Sequence, residues 1–350
     1  MDRFLAKVLP QASGGFLHKM LRKKNIKLNG QKAEGNEKLK SGDKIQIFFS
    51  EETFEKFRGI PTDSQAFSSV RSPSAEKKTG AALQKETPLQ KEAPSSRDLS
   101  QEEKRLRKAI KVLYKDSDLV ILHKPSGLLS QKASQADDSL NDYLLELCRK
   151  EGWVSGSDLQ YFRPSIANRL DRNTSGIVLC GITTKGLQML SEVLRDRSIA
   201  KYYMAIVSGH VSSGRKVKGY LQKDREKNVV HFSELPIEGS VAIETEYQVL
   251  KAGKEASLLR IRLITGKSHQ IRAHLASLGY PILGDYKYGS RNENQKLKSK
   301  LGISYQMLHS CEIDFGSHLH GLVIKDPLPE SFQRVLRFYQ LEDPGSVSKK

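Results

Sequence analysis

The stretch ANRLDRNTSGIVLC, Ala167 to Cys180, sets one carboxylate, Asp171, between Arg169 and Arg172 and then runs through a polar turn into an apolar strand. A turn needs Gly and Ser but has no need of Arg-Leu-Asp-Arg. Two readings fit. In the first, Asp171 caps backbone amides or pairs with an adjacent arginine, and the segment is a salt-bridged turn. In the second, the arginines keep a pocket carboxylate ionised and oriented while also meeting phosphate oxygens. Nearby positive charge lowers a carboxyl pKa, which suits a nucleophile or a base rather than an acid.

A second group of candidates lies in LLRIRLITGKSHQIRAHLASLGYPILGDYKYG, Leu258 to Gly289. The pattern predicts a strand ending at Thr265-Gly266 and a helix from about Ser268 to Gly279, a C′ glycine before Pro281. Lys267 and Ser268 at the helix start, with His269 and Arg272 on its first turn, predict an anion site. The alternative for His269 is a capping or core histidine. His269 and His274 are five apart and so point about 140° apart around a helix, which excludes a HExxH-type metal pair. The third stretch is AKYYMAIVSG, Ala200 to Gly209. Strand alternation puts Tyr203, Ala205 and Val207 on one face and Tyr202, Met204 and Ile206 on the other, so one tyrosine faces the active side and the other packs.

The elements around these residues divide the chain. Residues 51–100 are rich in Ser, Pro, Lys and Glu with few large apolar residues, too few to offset the chain entropy of folding. A flexible linker is therefore expected over 53–102, between a small module over 1–52 and a large domain over 103–340, with a flexible tail over 341–350. The large domain opens with a charged helix, QEEKRLRKAI. Two short strands around Lys115–Asp118 precede a Pro-Ser-Gly turn at 125–127. Strands are expected at 176–182, 201–209, 242–250 and 257–264, and helices around 138–150, 184–196 and 268–278. The strands cluster without strand–helix alternation, which predicts an α+β fold: a mixed, mostly antiparallel sheet flanked by helices.

In the small module, Phe4, Leu5, Val8 and Leu9 recur at helical spacing, as do Phe16, Leu17, Met20 and Leu21 ahead of Arg22, Lys23 and Lys24. An Asn-Gly turn at 29–30 and a Ser-Gly-Asp turn at 41–43 lead to a strand with Ile45 and Ile47 on one face. Residues 1–50 hold eleven Lys/Arg against four Asp/Glu, a net of +7. Arg22-Lys23-Lys24 is either an RNA contact or an ordinary solvated helix end.

Across all 350 residues the formal net charge is +18, which points to a polyanionic partner, nucleic acid before membrane. No run of eighteen apolar residues exists, so no transmembrane helix is expected. The opening MDRFLAKVLPQ lacks an apolar core and a small-residue cleavage site, and Cys148, Cys180 and Cys311 form no CxxC pair. These features predict a cytoplasmic protein.

The three stretches, in this order, resemble the RluA-type family of RNA pseudouridine synthases. Its signature runs HRLDxxTSG, K-x-Y-x-A-x-V-x-G, TGRxHQ[IL]RxHL and G-x-P-I-x-G-D-x-x-Y, with an upstream N-K-P-x-G-L that appears here as HKPSGLL. Asn168 stands where the family has histidine, and Lys267 where it has arginine. The small module resembles the RNA-binding domain of ribosomal small-subunit protein four and of tyrosyl-tRNA synthetases. The resemblance implies that Asp171 attacks or deprotonates the ribose of a target uridine, that Tyr203 stacks on the base and accepts its carbon-5 proton, and that Arg272 pairs with Asp171. It implies no metal and no cofactor, since the isomerisation is redox-neutral. Arg169, Arg172, Thr174, Lys267, His269 and Gln270 are expected to meet the substrate. One of Arg169 and Arg172 serves structure or the RNA backbone, and the other serves the flipped base. Structured RNA is the expected partner, 23S ribosomal RNA ahead of tRNA, for a monomeric enzyme. The competing classes are a non-catalytic RNA-binding assembly protein and a metal-dependent nuclease; the latter would need clustered carboxylates.

Overall fold

Leu5, Leu9, Leu17, Leu21 and Ile26 are buried against one another in the first part of the chain. They join α1 (Asp2–Val8) and α2 (Gly14–Arg22) to a three-stranded sheet of β1 (Ile26–Leu28), β2 (Gln31–Lys32) and β3 (Ile45–Ile47), ordered β2-β1-β3. Ser13 starts α2 by accepting a hydrogen bond from the Phe16 amide. Asn29 and Gly30 both take positive φ in the β1–β2 turn, as that turn type requires. The Asn29 side chain donates to Asp43 and accepts from the Lys44 amide, both at 2.8 Å. Arg22, Lys23 and Lys24 are exposed at the end of α2.

The computed structural model describes residues 1–40, 42–49, 53, 54, 57, 99–154, 159, 162–224 and 229–342. The chain divides into two units, Met1–Lys91 and Glu92–Lys350. The linker expected over 53–102 and the tail expected over 341–350 lie mostly outside the described residues. At the linker's far end, α3 (Gln101–Lys108) is the expected charged helix QEEKRLRKAI, started by a reciprocal capping box of Ser100 and Glu103.

The second unit continues with β4 (Lys111–Lys115), β5 (Leu119–Lys124), α4 (Leu140–Lys150), β6 (Ser165–Ile166), β7 (Ser175–Gly181), α5 (Thr184–Arg195), β8 (Ala200–Ser208), β9 (Arg215–Asp224), β10 (Val229–Ser233), β11 (Val241–Ala252) and β12 (Ala256–Leu263). It ends with α6 (Gln270–Ser277), α7 (Arg291–Leu301), β13 (Leu308–Asp314), β14 (Val323–Lys325) and α8 (Glu330–Phe338). Among the described residues the strands form one sheet, ordered β10-β9-β11-β12-β8-β13-β7-β5-β4, with β14 beside β13 and β6 beside β7. Every pairing is antiparallel except β13 with β7. This is the mixed, mostly antiparallel sheet that the strand clustering predicted. Both faces of its centre are covered: Val120 and Leu122 of β5 pack toward α4, while Leu119 and Ile121 pack toward α5. Among the described residues no helix is long and apolar enough to cross a membrane.

The β9–β10 hairpin, α7, β13, β14 and α8 were not anticipated. Of these β13 matters most, because it inserts between β8 and β7 and so sets Tyr203 opposite Ser310 and Ser310 opposite Gly176. Gly176 has φ 117, and a Cβ there would overlap the Ser310 carbonyl oxygen. The glycine of Thr-Ser-Gly is thus set by the close passage of two strands.

At the end of β5 the sequence His-Lys-Pro-Ser-Gly does more than turn. Lys124 is wholly buried, and its Nζ donates to the carbonyls of Pro125 at 3.0 Å, Leu128 at 2.7 Å and Arg172 at 3.0 Å. Burial pushes this amine down to about 7 while the Asp171 charge opposes the fall. Three carbonyls accept here and none can donate, so three N–H groups are needed and the ammonium form is the one that satisfies them. Replacing Lys124 with Met should leave those carbonyls without partners and lower the unfolding free energy by roughly 3 kcal/mol. Denaturant unfolding of the variant measures this, and an unchanged midpoint would remove Lys124 from the scaffold of the Asp171 loop.

Candidate active site

Asp171 stands on a loop that the fold grips from several directions. Ser130 donates from Oγ to the Leu170 carbonyl at 2.7 Å and accepts from its amide at 3.1 Å. The Arg172 carbonyl accepts from Lys124 and from the Gly127 amide. Thr174, buried, accepts from Gln306 Nε2 at 2.8 Å. Ser175 lies 2.9 Å from His309 Nδ1, and the other ring nitrogen lies 3.1 Å from the Asp326 carbonyl. That carbonyl can only accept, so we assign the proton to Nε2 and the Ser175 hydroxyl as donor to Nδ1. Asn168, in place of the family histidine, accepts from the Leu179 amide at 2.7 Å and so prolongs the pairing of the loop with β7. Thr174 is consumed in the same way: its hydroxyl serves the loop.

Neither flanking arginine pairs with Asp171. Arg169 and Arg172 are both exposed, and Arg172 reaches Asp137 at 3.6 Å. The salt-bridged turn read as one alternative is therefore not formed. The cation on Asp171 is Arg272, 101 residues along the chain, whose terminal nitrogen donates to Oδ2 at 2.7 Å. Arg272 is buried, and its Nε and second terminal nitrogen grip Asp285 at 2.7 and 2.9 Å. Burial works against the guanidinium charge, but hydrogen bonds and field from Asp285 and Asp171 outweigh it and raise the pKa. Asp285 is wholly buried and also accepts from the Lys287 and Tyr288 amides at 2.9 and 3.2 Å. Spacing did not single out Asp285, although the Gly-Asp of GDYKYG was the available signal.

Tyr203 is 5% exposed and Tyr202 is half-buried, as alternation along β8 required. Tyr203 lines the same cleft as Asp171. Burial, opposed by the Ser310 side chain and reinforced by the Asp171 charge, pushes its phenol up to about 12. Tyr202 instead lies under Arg260, 4.0 Å from guanidinium carbon to ring centroid.

The helix carrying Arg272 begins at Gln270, two residues later than expected. His269 takes a left-handed conformation, φ 54, and makes no side-chain cap, so Ser268 lies outside the helix in the Gly266–His269 loop. Gln270 holds this loop: its Oε1 accepts from Thr265 at 2.9 Å and the Lys267 amide at 3.1 Å, while Nε2 donates to the Glu244 carbonyl and Thr245. Its amide is thus spent on the protein, where the sequence suggested a substrate contact. His269 Nδ1 lies 2.8 Å from the Tyr288 hydroxyl, which itself accepts from the Val230 amide. Burial pushes the His269 pKa down against the pull of Asp171, so the ring is neutral at pH 7. We assign Nδ1 as the acceptor from Tyr288, leaving Nε2–H toward the cleft. His274, buried and stacked on Phe232 at 4.8 Å, packs in the core.

Asp171, Tyr203, His269, Gln270 and Arg272 line an open cleft of about 870 Å³. Arg169, Arg172 and Lys267 are on its walls as expected, joined by Lys132, Arg195, Arg197, Lys201 and Lys223, which spacing did not reveal. Among the described residues lining it, Asp171 is the one carboxylate. Arg22, Lys23 and Lys24 belong to the other unit.

Residues 118–277 match the family model described as RNA pseudouridylate synthase. The chain is 32% identical over 237 residues to ribosomal large subunit pseudouridine synthase D of Borreliella burgdorferi, covering 67% of this chain and 70% of that one. It is 27% identical over 342 residues to ribosomal large subunit pseudouridine synthase C of Buchnera aphidicola subsp. Schizaphis graminum, covering 96% and 92%. Among solved structures, human RNA pseudouridylate synthase domain containing 4 shares the fold, with TM-score 0.56 and 24% identity over 69% of this chain and 96% of that one. A lone carboxylate held by a buried arginine, in a domain with these relatives, leads to one conclusion: the chain belongs to the RluA-type RNA pseudouridine synthases, a family of isomerases.

Proposed function

We propose that this protein converts uridine to pseudouridine in large-subunit ribosomal RNA, with Asp171 opening the reaction. The observation that carries the reading is the single carboxylate, 2.7 Å from buried Arg272, in a cleft otherwise walled by cations. The ribosomal target is supported by the names of the similar proteins and by the exposed Arg22, Lys23 and Lys24 of the first unit, a second contact for a large folded RNA. A cytoplasmic, monomeric enzyme is part of this reading.

A uridine in folded RNA must leave its stack to expose the glycosidic bond. Asp171 then acts on the ribose, by adding to it or by taking a proton from it, and the bond from C1′ to N1 breaks. The freed uracil rotates, C5 bonds to C1′, the C5 proton leaves and N1 gains one, so no atom is gained or lost. Tyr203, with its phenol near 12, is a hydroxyl in the resting site. It takes the C5 proton as its own hydroxyl proton leaves, and N1 gains a proton, so the proton count closes.

Tritium release from large-subunit RNA labelled at uridine C5 tests this directly. Asp171→Asn should release none while binding RNA within a few fold of wild type, because affinity rests on Lys/Arg–phosphate contacts. Substantial turnover by that variant, or product appearing in tRNA instead of ribosomal RNA, would contradict the assignment.

Tyr203→Phe keeps the ring and loses the hydroxyl, so binding should persist while single-turnover product formation slows by roughly 10²–10⁴-fold. Tyr202→Phe keeps its ring against Arg260 and should turn over near the wild-type rate. If Tyr202→Phe is the inactive variant instead, the assignment of Tyr203 to the base is wrong.

A further inference from the structure

Lys201 lies two residues before Tyr203 on β8, so both side chains leave one face of the strand about 7 Å apart, and both line the Asp171 cleft. Lys201 is half-buried. Its Nζ reaches the loop before α6, 3.7 Å from where a Cβ on Gly266 would stand. Arg197, in the turn after α5, and Lys267, next to Gly266 in the chain, also line the cleft, and the Arg197 charge acts on Lys201. Arg197 takes a left-handed backbone, φ 62, a conformation that disfavours any residue with a Cβ.

Among the described residues, none of these three cations forms an ion pair with a carboxylate. Glu244 and Glu246, on β11, two strands from β8, ion-pair with Lys216 and Arg262, and Glu244 also feels the charge of Arg197. The Lys201 amine is pushed down by burial and then by the charge of Arg197. For Lys201, partial desolvation beside another cation and with no ion-paired carboxylate of its own is unfavourable in the free protein. An entering anion reverses that balance, because each charge then gains a partner where water is scarce.

We propose that Lys201, Arg197 and Lys267 form a seat for one phosphodiester group of the RNA strand flanking the extruded uridine. The seat rests on the reading that RNA enters this cleft. It lies on the same strand face as Tyr203, so a nucleotide with its base against Tyr203 has its own backbone running past Lys201. Holding one phosphate at a fixed offset from Asp171 sets which sugar is presented to the carboxylate. Lys201, Arg197 and Lys267 are thus positioning residues.

The probe is unmodified, transcribed large-subunit ribosomal RNA, bound to the full-length protein at a series of salt concentrations. Each phosphate contact contributes about 0.7–0.9 to the slope of log affinity against log salt. Lys201→Met should reduce the slope by about that amount and weaken low-salt binding several-fold, and Lys201→Arg should restore both. Arg197→Gln, at an exposed position, should show the same loss and carries the test should Lys201→Met fail to fold. A slope unchanged in Arg197→Gln and in a folded Lys201→Met would overturn the seat and leave RNA binding by the cleft intact. A wild-type protein whose RNA affinity did not depend on salt would overturn the RNA reading itself, and the seat with it.

Discussion

The site depends on one guanidinium shared by two carboxylates. Asp285 is wholly buried and needs partners on both oxygens; Arg272 and the amides of Lys287 and Tyr288 supply them. That bidentate grip fixes the plane of Arg272, and the remaining nitrogen points at Asp171. Taking away one partner of such a buried set leaves an uncompensated charge, a loss of roughly 3–5 kcal/mol. Asp285 is in turn held by its turn: Gly284 has φ 78, its amide donates to Asn294 of α7, and Asn294 donates back to the Asp285 carbonyl. The orientation of the carboxylate on Asp171 is thus set by residues more than 100 positions away.

From that bridge outward the electrostatics change sign. Asp171 is the one carboxylate lining the cleft among the described residues, while its walls carry arginines and lysines. A polyanion is drawn to the walls, and the carboxylate is the point at which the cleft offers reactivity in place of attraction. Rigidity serves the same end. Lys124, Ser130 and Gln306 tie down the loop at residues 170–174 from three different segments, so Asp171 is in place before substrate arrives and little reorganisation remains for the reaction.

Much of this was legible from spacing, and the rest was not for identifiable reasons. The helices over Leu140–Lys150 and Thr184–Arg195 and the strand over Ala200–Ser208 show clean periodicity, and the last set Tyr202 and Tyr203 on opposite faces. The start of α6 was misplaced because Ser268 looks like an N-cap. The loop is instead closed by Gln270, and His269 sits in a left-handed conformation that its residue type does not announce. Pairing Asp171 with its neighbouring arginines was the local guess. Tertiary structure supplied Arg272 instead, and in this chain the resemblance, not the spacing, had pointed there. Lys124 and Asp285 lay inside the family's motifs but received no role, because a lysine and an aspartate in glycine-rich turns show no burial in sequence. Their burial follows from carbonyls and amides that only the folded chain brings together. Spacing along the chain did not join Lys201 to Arg197; β8 and the turn after α5 bring their charges within each other's field.

Replacing Arg272 by lysine probes the bridge most directly, because it keeps the charge and removes the fork. An ammonium cannot hold both oxygens of Asp285 and still reach Asp171 in the same geometry. Single-turnover pseudouridine formation on saturating large-subunit RNA should fall by about 10²-fold or more, the scale expected when a reacting group is misplaced by about 1 Å, with RNA affinity near wild type. A rate close to that of the wild-type enzyme would mean that charge alone suffices at Asp171 and that the shared guanidinium is not what orients it.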